Sequence, residues 1–450
     1  MVTATNNTAL VDQLSRLDGG RLRAYRDNLA FYHGQQWAVA QRRRERRLVF
    51  NYAKAMIDKT ASYLMSSVGF VVDAVDSSEA TQERARAAET ALRDVYEANN
   101  LAQLDFDNEI DTSILGDGAY KLTWDALERR VRISAPDVQG LFAWWVGDDV
   151  SRLWRVASRY YLTDEEAALL YPAAQAAAAR VATARKPAAP GRQHTVVELW
   201  TDETFELWFD GALLESKANP YGFIPFVIYP NLREPKQFWG VSDIDAVRES
   251  VRELNRALSQ LSMILELSGN PVAVLENVTE AQDIAVQPGA VWELPERARA
   301  YLLDLLQGGG VNLHVDYVNL IYRTLHDLGE SPRTSFGDNG RGLSGVALSI
   351  ELDPLLKKVQ RKRLLREAAL KRRNEMALRL LEQYTGVGYA PYRSRIVWGP
   401  LLPQDRSRLV QDEVKLVSAG IHSRRRAADD LGVDDPELEF ERWREEERQA

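Results

Sequence analysis

The sequence has no cysteine and only five histidines in 450 residues. Without thiols it can form no disulfide, no thiolate metal centre and no cysteine nucleophile, and a reducing compartment suits it best. His33, His194, His314, His326 and His422 are scattered; there is no HExxH pair, and His314 and His326 read as helix-face residues. No GxxxxGK[ST] loop is present, since Gly308, Gly309 and Gly310 lack the lysine and hydroxyl residue that would complete a phosphate cradle. Long apolar runs are missing too: none approaches the ~20 residues that span a bilayer. The opening MVTATNNTAL lacks the basic start and apolar core of a secretory signal. Carboxylates such as Asp105 and Asp107 have no basic or histidine companion that sequence identifies, so local capping is their expected role. These absences lead us to expect no catalytic residue, no metal, no cofactor and no membrane partner.

What is present describes a folded protein. Hydrophobic residues make up 45% and charged residues 27%. The length suggests two to four packed units. Residues 10–67 read as mostly helical, broken by FYHGQQW and QRRRERR, with Phe50, Ala53, Ile57 and Leu64 near helical spacing. Helices are expected over 78–99 and 101–115, the second stopped by Gly116. From Gly118 the period changes to two: Tyr120, Leu122 and Trp124 alternate, and Val131 and Ile133 answer them across DALERR, a hairpin pattern. Further strands are expected in GLFAWWV, RLWRVASRYYL, HTVVELW, FELWFDGALL and FIPFVIY, where many of the 11 tryptophans lie. The alanine-rich stretch 167–192 between them reads as a helical surface excursion with a Pro/Gly linker.

The second half is helical. Across 241–268, Val241, Ile244, Val247, Val251, Leu254, Leu258, Leu261 and Leu265 alternate spacings of three and four, one stripe of one helix, with a capping box expected from Ser242 and Asp245. Residues 311–328 repeat the pattern with Val311, Val315, Val318, Tyr322 and Leu325. The two helices are expected to be partners, and 271–310 between them reads as a compact α/β insertion or, more simply, a helical hairpin tip. A further helix should open at Asp353, as cap, and Pro354 and run to about Tyr384. Its basic run, from Lys357 through Lys358, Lys362, Arg366 and Arg373 to Arg379, reads as a solvated ion-paired face or as a surface near phosphates. Near the C-terminus, VKLVSAGIHSRRRAADDLGVD has a weak helix-turn-helix look, but the acidic stretch after it makes a protein-interaction module the default.

Taken in order, FYHGQQW, VFNYAKAMIDKTASYLMSSVGFVVDA, ILGDGAYKLTWD, NPYGFIPFVIYPN, FWGVSDIDAVRESVRELNRALSQ and the C-terminal VWGPLLPQDRSRLVQDEVKLVSAGIHSRRRAADDLGVDDPE resemble the portal proteins of tailed bacteriophages, of the siphophage type. The resemblance implies an α+β portal fold that is mainly helical. Its parts would be a wing (1–235, helical then β-rich), a first stem helix (236–270), an α/β clip (271–310) and a second stem helix (311–329). A tunnel loop (330–345), a long helix behind it (346–386) and a helical crown (387–450) would complete it. It also implies a homo-oligomeric ring, usually of twelve, at one capsid vertex of the virion, assembled in the host cytoplasm. Double-stranded DNA would pass through it, and the large terminase, the major capsid and scaffolding proteins and a head-completion adaptor would be its partners. Another ring-forming connector or scaffold protein of the virion is the alternative.

Three readings of the residues agree with that implication. A heptad-like stripe wants a partner helix, and a closed ring supplies one. The missing nucleotide motif fits a conduit driven by another protein. A formal charge of −8 per chain, about −96 over twelve copies, would let a polyanion slide rather than stick. On this view the glycine-rich segment LGESPRTSFGDNGRGLSGVALSIELDPLL holds the DNA-facing loop. Gly337, Gly340, Gly342 and Gly345 would be its hinges, and Arg333, Thr334, Ser335, Asn339 and Arg341 would make weak phosphate contacts. Val247, Val251, Leu254, Leu258, Leu261, Val315, Val318 and Tyr322 would pack the stem.

Overall fold

In a computed structural model, residues 14, 16–37, 47–172, 193–269, 272–277, 297–303, 310–338, 345–402, 406–433 and 436–449 are described. The chain divides into two compact units, Met1–Met65 with Phe70–Ile396, and Ser66–Gly69 with Val397–Ala450.

The larger unit opens with helices α1 (Gly19–Tyr32), α2 (Tyr52–Leu64), α3 (Glu79–Ala98) and α4 (Leu101–Leu115); strand β1 (Val68–Val71), between α2 and α3, begins in the segment assigned to the smaller unit. Asn51 caps α2 by accepting the Lys54 N–H. α4 stops where expected. Gly116 takes φ +106, and a Cβ there would lie 3.1 Å from the Ser242 nitrogen and 3.2 Å from the Gly240 carbonyl, so the turn and the close backbone approach both require glycine.

The period-two stretch is the expected hairpin: β2 (Asp117–Asp125) pairs antiparallel with β3 (Arg130–Ser134), Leu122 opposite Ile133 and Trp124 opposite Val131. β9 (Phe226–Pro230) adds on the other side of β2, giving the order β3-β2-β9. A second, five-stranded antiparallel sheet runs β4 (Leu141–Val146), β5 (Asp149–Thr163), β6 (Gln193–Trp200), β7 (Thr204–Phe209), β8 (Ala212–Ala218). FELWFDGALL is therefore two strands rather than one. Asp210 and Gly211 both take positive φ and turn the chain back, as a tight hairpin demands. A short helix, α5 (Asp164–Leu170), follows β5, held by a complete capping box between Thr163 and Glu166. The alanine-rich excursion lies outside the described residues from 173 to 192.

Beyond the sheets come α6 (Asp243–Gly269), the hairpin β10 (Val272–Glu276) with β11 (Arg299–Leu303), and α7 (Gly310–Leu328). The insertion thus begins and ends as paired strands; its centre lies outside the described residues. Ser242 does cap α6, but its hydroxyl accepts the Ile244 N–H, so the expected bond to Asp245 is replaced by one a residue earlier. The same hydroxyl donates to the Ile114 carbonyl, joining the starts and ends of two helices.

The helix expected over 346–386 is interrupted. α8 (Gly345–Glu351) ends before Leu352, and α9 (Asp353–Thr385) begins after it, with Leu352 at the cap position and no side-chain cap bond; Asp353 is the first helical residue and not the cap. In the larger unit one core joins α1, α2, α4, both sheets and the first turns of α6, through Phe31, Ile57, Ile114, Ala119, Val156, Phe226, Val247, Val251 and Leu254.

Between α1 and β2 the Tyr25 hydroxyl donates to the buried Asp117 carboxylate, which also accepts the Gly240 N–H at 2.8 Å. Burial pushes the Asp117 carboxyl up to about 6, against the lowering effect of those two donors and Arg21. Its unfolded value is about 3.9. A folded pKa above the unfolded one contributes stability in full below about pH 4 and loses it as pH rises towards about 6. Asp117→Asn is expected to flatten that decline, which urea unfolding midpoints across this range would read.

The smaller unit is helical: α10 (Arg406–Ser418), α11 (Arg424–Asp430) and α12 (Pro436–Gln449) follow β12 (Arg395–Trp398), the strand that pairs with β1. The helix-turn-helix look of residues 414–434 corresponds to α10, a turn through Gly420, and α11.

Candidate functional site

The glycine-rich segment is rooted between α7, α9 and α2. After α7 the chain turns at Glu330 (φ 49) and passes Ser331, which is fully buried. Arg333–Phe336 then form a single 3-10 turn closed by Gly337 at φ +89. The first half of the expected loop, 330–337, therefore takes a definite conformation, because its side chains find partners.

His326 Nδ1 meets the Ser331 carbonyl, and its ring lies edge-on to Phe336 with centroids 5.8 Å apart. Burial pushes the His326 imidazole down, with Arg333 adding to the effect, so the neutral ring donates Nδ1–H to that carbonyl. Lys59 lies 5.7 Å from the Phe336 ring. From α9, Lys358 Nζ donates to the Gly329 carbonyl at 3.1 Å, and Arg361 grips both oxygens of Glu330 at 2.6 Å.

Five of the nine expected loop residues lie among the described ones. Arg333 is exposed; its guanidinium pairs with Asp338 and lies 5.1 Å from the Tyr322 ring centroid. Thr334 is half-buried. Ser335 is buried and spends its hydroxyl on the Pro332 carbonyl at 2.6 Å, which corrects the expectation that it is offered outward to phosphate. Gly337 supplies the left-handed turn and Gly345 is the first residue of α8. Asn339, Gly340, Arg341 and Gly342 lie outside the described residues.

Behind this root is a layer of buried charge that the sequence did not disclose. Lys358, Lys362, Arg366 and Arg373 recur on one face of α9 and are buried, against the solvated or phosphate-facing surface expected of the basic run. Their partners are acidic residues of α4 and the first residue of α6. Lys362 Nζ reaches Asp243 at 2.6 Å, the Ser113 hydroxyl at 2.8 Å and Glu109 at 3.5 Å. Arg366 holds Glu109 in a two-point clasp at 2.7 and 2.9 Å and donates also to the carbonyls of Pro230 and Asn231.

Arg373 clasps Asp105, which accepts the Tyr120 hydroxyl at 2.8 Å as well. Asp105 is therefore an ion-pair partner of α9, not a local cap. Burial pushes the Asp243 carboxyl up, but the Lys358 and Lys362 ammonium groups outweigh it and hold it well below the usual carboxylate range. Lys358 lies 3.5 Å from Asp243, so one ammonium faces both the start of α6 and the root of the loop.

The α6–α7 pair is covered unevenly. Val247, Val251 and Leu254 are in the core, Leu258, Val318 and Tyr322 pack against it, Leu261 is half-buried and Val315 is exposed. The opposite face of α7 carries Leu313, 73% exposed, Tyr317 and Leu320, 61% exposed, in a stripe at helical spacing. Leu265 on α6 is 54% exposed. The Tyr317 hydroxyl donates to Glu253 on α6 at 2.8 Å, whereas Leu313, Leu320 and Leu265 stay more than half exposed among the described residues.

A helix pair with an uncovered apolar stripe, above a loop anchored by ion pairs, is the construction of a structural subunit that packs against other chains. Residues 21–450 match the family described as phage portal protein, SPP1 Gp6-like, and the chain belongs to that family. Comparison with curated proteins returned no match. Membership gives the chain a portal role in a phage head: a structural rather than enzymatic protein, in a ring-forming oligomer through which DNA passes. No described helix is long and apolar enough to cross a membrane.

Proposed function

We propose that twelve copies of this chain form the channel at one capsid vertex through which double-stranded DNA is packaged and later ejected. The large terminase and a head-completion adaptor would dock on the ring, and capsid and scaffolding proteins would surround it. The observation that carries this reading is the family match over residues 21–450. The exposed Leu313 and Leu320 support it, because a neighbouring subunit would remove that apolar surface from water. In this reading α6 and α7 are the stem, the β10–β11 insertion is the clip, α9 is the long helix behind the tunnel loop, and the smaller unit is the crown.

The loop's role follows from its root. An exposed Arg333 that pairs with an exposed Asp338 can trade that carboxylate for a passing phosphate at little cost. Arg341 would act with it. We expect the double change Arg333→Ala, Arg341→Ala to leave ring assembly intact and to lower the amount of DNA taken up severalfold in an in vitro packaging assay with cognate heads and motor. Unchanged uptake by intact rings would remove the contact role.

A further inference from the structure

In the smaller unit, α10 ends at a left-handed Gly420, and the Ile421 and His422 N–H groups both return to the Leu416 carbonyl, at 2.9 and 3.2 Å. That double return folds His422 back beside the helix it has just left. Ser423 then starts α11, its hydroxyl accepting the Arg426 N–H at 3.2 Å. The turn therefore brings three segments together: Glu413 from α10, His422 from the turn, and Asp430 from the end of α11.

The three donor atoms lie within 4.8 Å of one another, and among the described residues no other set of three such groups converges in this way. Glu413 is 5% exposed, unusual for a carboxylate. Its oxygen is 2.9 Å from His422 Nδ1, and the Asp430 oxygen is 3.9 Å from the same nitrogen. Donor atoms that share a zinc-sized ion at about 2.1 Å stand about 3.0–3.4 Å apart in octahedral or tetrahedral shells. One pair already has that separation, and the other is a small side-chain rotation from it. Arg426, the neighbour that touches Asp430, does so at 3.7 Å from a largely exposed position and can release it.

We propose that Glu413, His422 and Asp430 form a binding site for one divalent transition-metal ion. Two carboxylates neutralise the charge of such an ion. One imidazole nitrogen with two carboxylate oxygens suits zinc, cobalt or manganese, whereas magnesium and calcium prefer oxygen throughout. The ion would tie α10, the turn and α11 at one point and so stiffen the smaller unit. His194 offers a useful contrast. Its two ring nitrogens face different carboxylates, Asp164 and Asp210, each at 2.8 Å, so those three groups cannot share one ion. The proposal stands apart from the portal reading, since it concerns metal uptake by the purified chain.

The test is titration of the full-length protein, stripped with a chelator, with zinc by calorimetry and with cobalt by its visible d–d absorption. Wild type and His194→Ala should each take up about one ion per chain, and ten-millimolar-scale magnesium, on the order of a cytosolic excess, should not compete. His422→Ala should weaken binding by about a hundredfold, and Asp430→Asn, at a part-exposed position tolerant of change, by about tenfold. Circular dichroism would establish that both variants keep their helices. No uptake by wild type, or equal uptake by wild type and both variants, would overturn the site and leave a plain histidine–carboxylate hydrogen bond.

Discussion

Replacing Glu109 by alanine is expected to lower the stability of the larger unit by about 3–5 kcal/mol, because it strips the carboxylate from two buried cations at once. Arg366 would lose its two-point clasp and keep only neutral acceptors, Pro230, Asn231 and the Asn231 side chain. Lys362 would keep Asp243 and Ser113. The layer would then hold four cations, Lys358, Lys362, Arg366 and Arg373, against Asp105 and Asp243 alone, at sites where water cannot compensate.

The paired change Glu109→Leu with Arg366→Met separates the worth of the ion pair from the cost of breaking it. It should recover much of the loss but not all, since two backbone carbonyls forfeit their donor. Urea unfolding at one fixed protein concentration would measure all three proteins. A single variant as stable as the double one would show that the layer contributes little.

The second large effect concerns assembly. Leu313→Asp with Leu320→Asp is expected to convert rings to single chains. Both side chains are more than half exposed, so the subunit's own core loses nothing. Between copies, however, the two carboxylates would be buried against apolar surface with no partner, a penalty of several kcal/mol repeated at every interface of a closed ring. Mass photometry reads the outcome directly, and circular dichroism like that of wild type would show that the subunit still folds. Rings that persist in the variant would mean that subunits meet through some other face.

Much of the fold was legible. The three-four spacing of Val247, Val251 and Leu254 marked α6, the alternation around Leu122 marked the β2–β3 hairpin, and Gly116 marked the end of α4. Each of these signals is local: the residues that define the element lie within a few positions of one another. The charge layer was not legible because its logic is long-range. A lysine on a helix looks the same in sequence whether water or a carboxylate more than a hundred residues away surrounds it, as with Lys362 and Asp243. The available hint was facial. Asp105 and Glu109 stand one turn apart on α4, and Lys358, Lys362 and Arg366 recur every fourth residue on α9, so two complementary stripes existed before any contact was known.

The same limit governed the loop. Ser335 read as an outward hydroxyl because nothing local shows that Pro332 would accept its proton. Phe336 and His326 pack across a turn whose shape depends on Glu330 adopting a positive φ that its residue type does not announce. The break at Leu352 was half legible: Pro354 marked a helix start at that point, although the resemblance implied one continuous helix over 346–386.

Electron micrographs of the purified wild-type protein, viewed down the particle axis, test the central claim most directly. The account predicts closed rings of about twelve identical subunits around a hole wide enough for a DNA duplex, about 20 Å across. Single compact subunits at every concentration, or rings without an open centre, would contradict it.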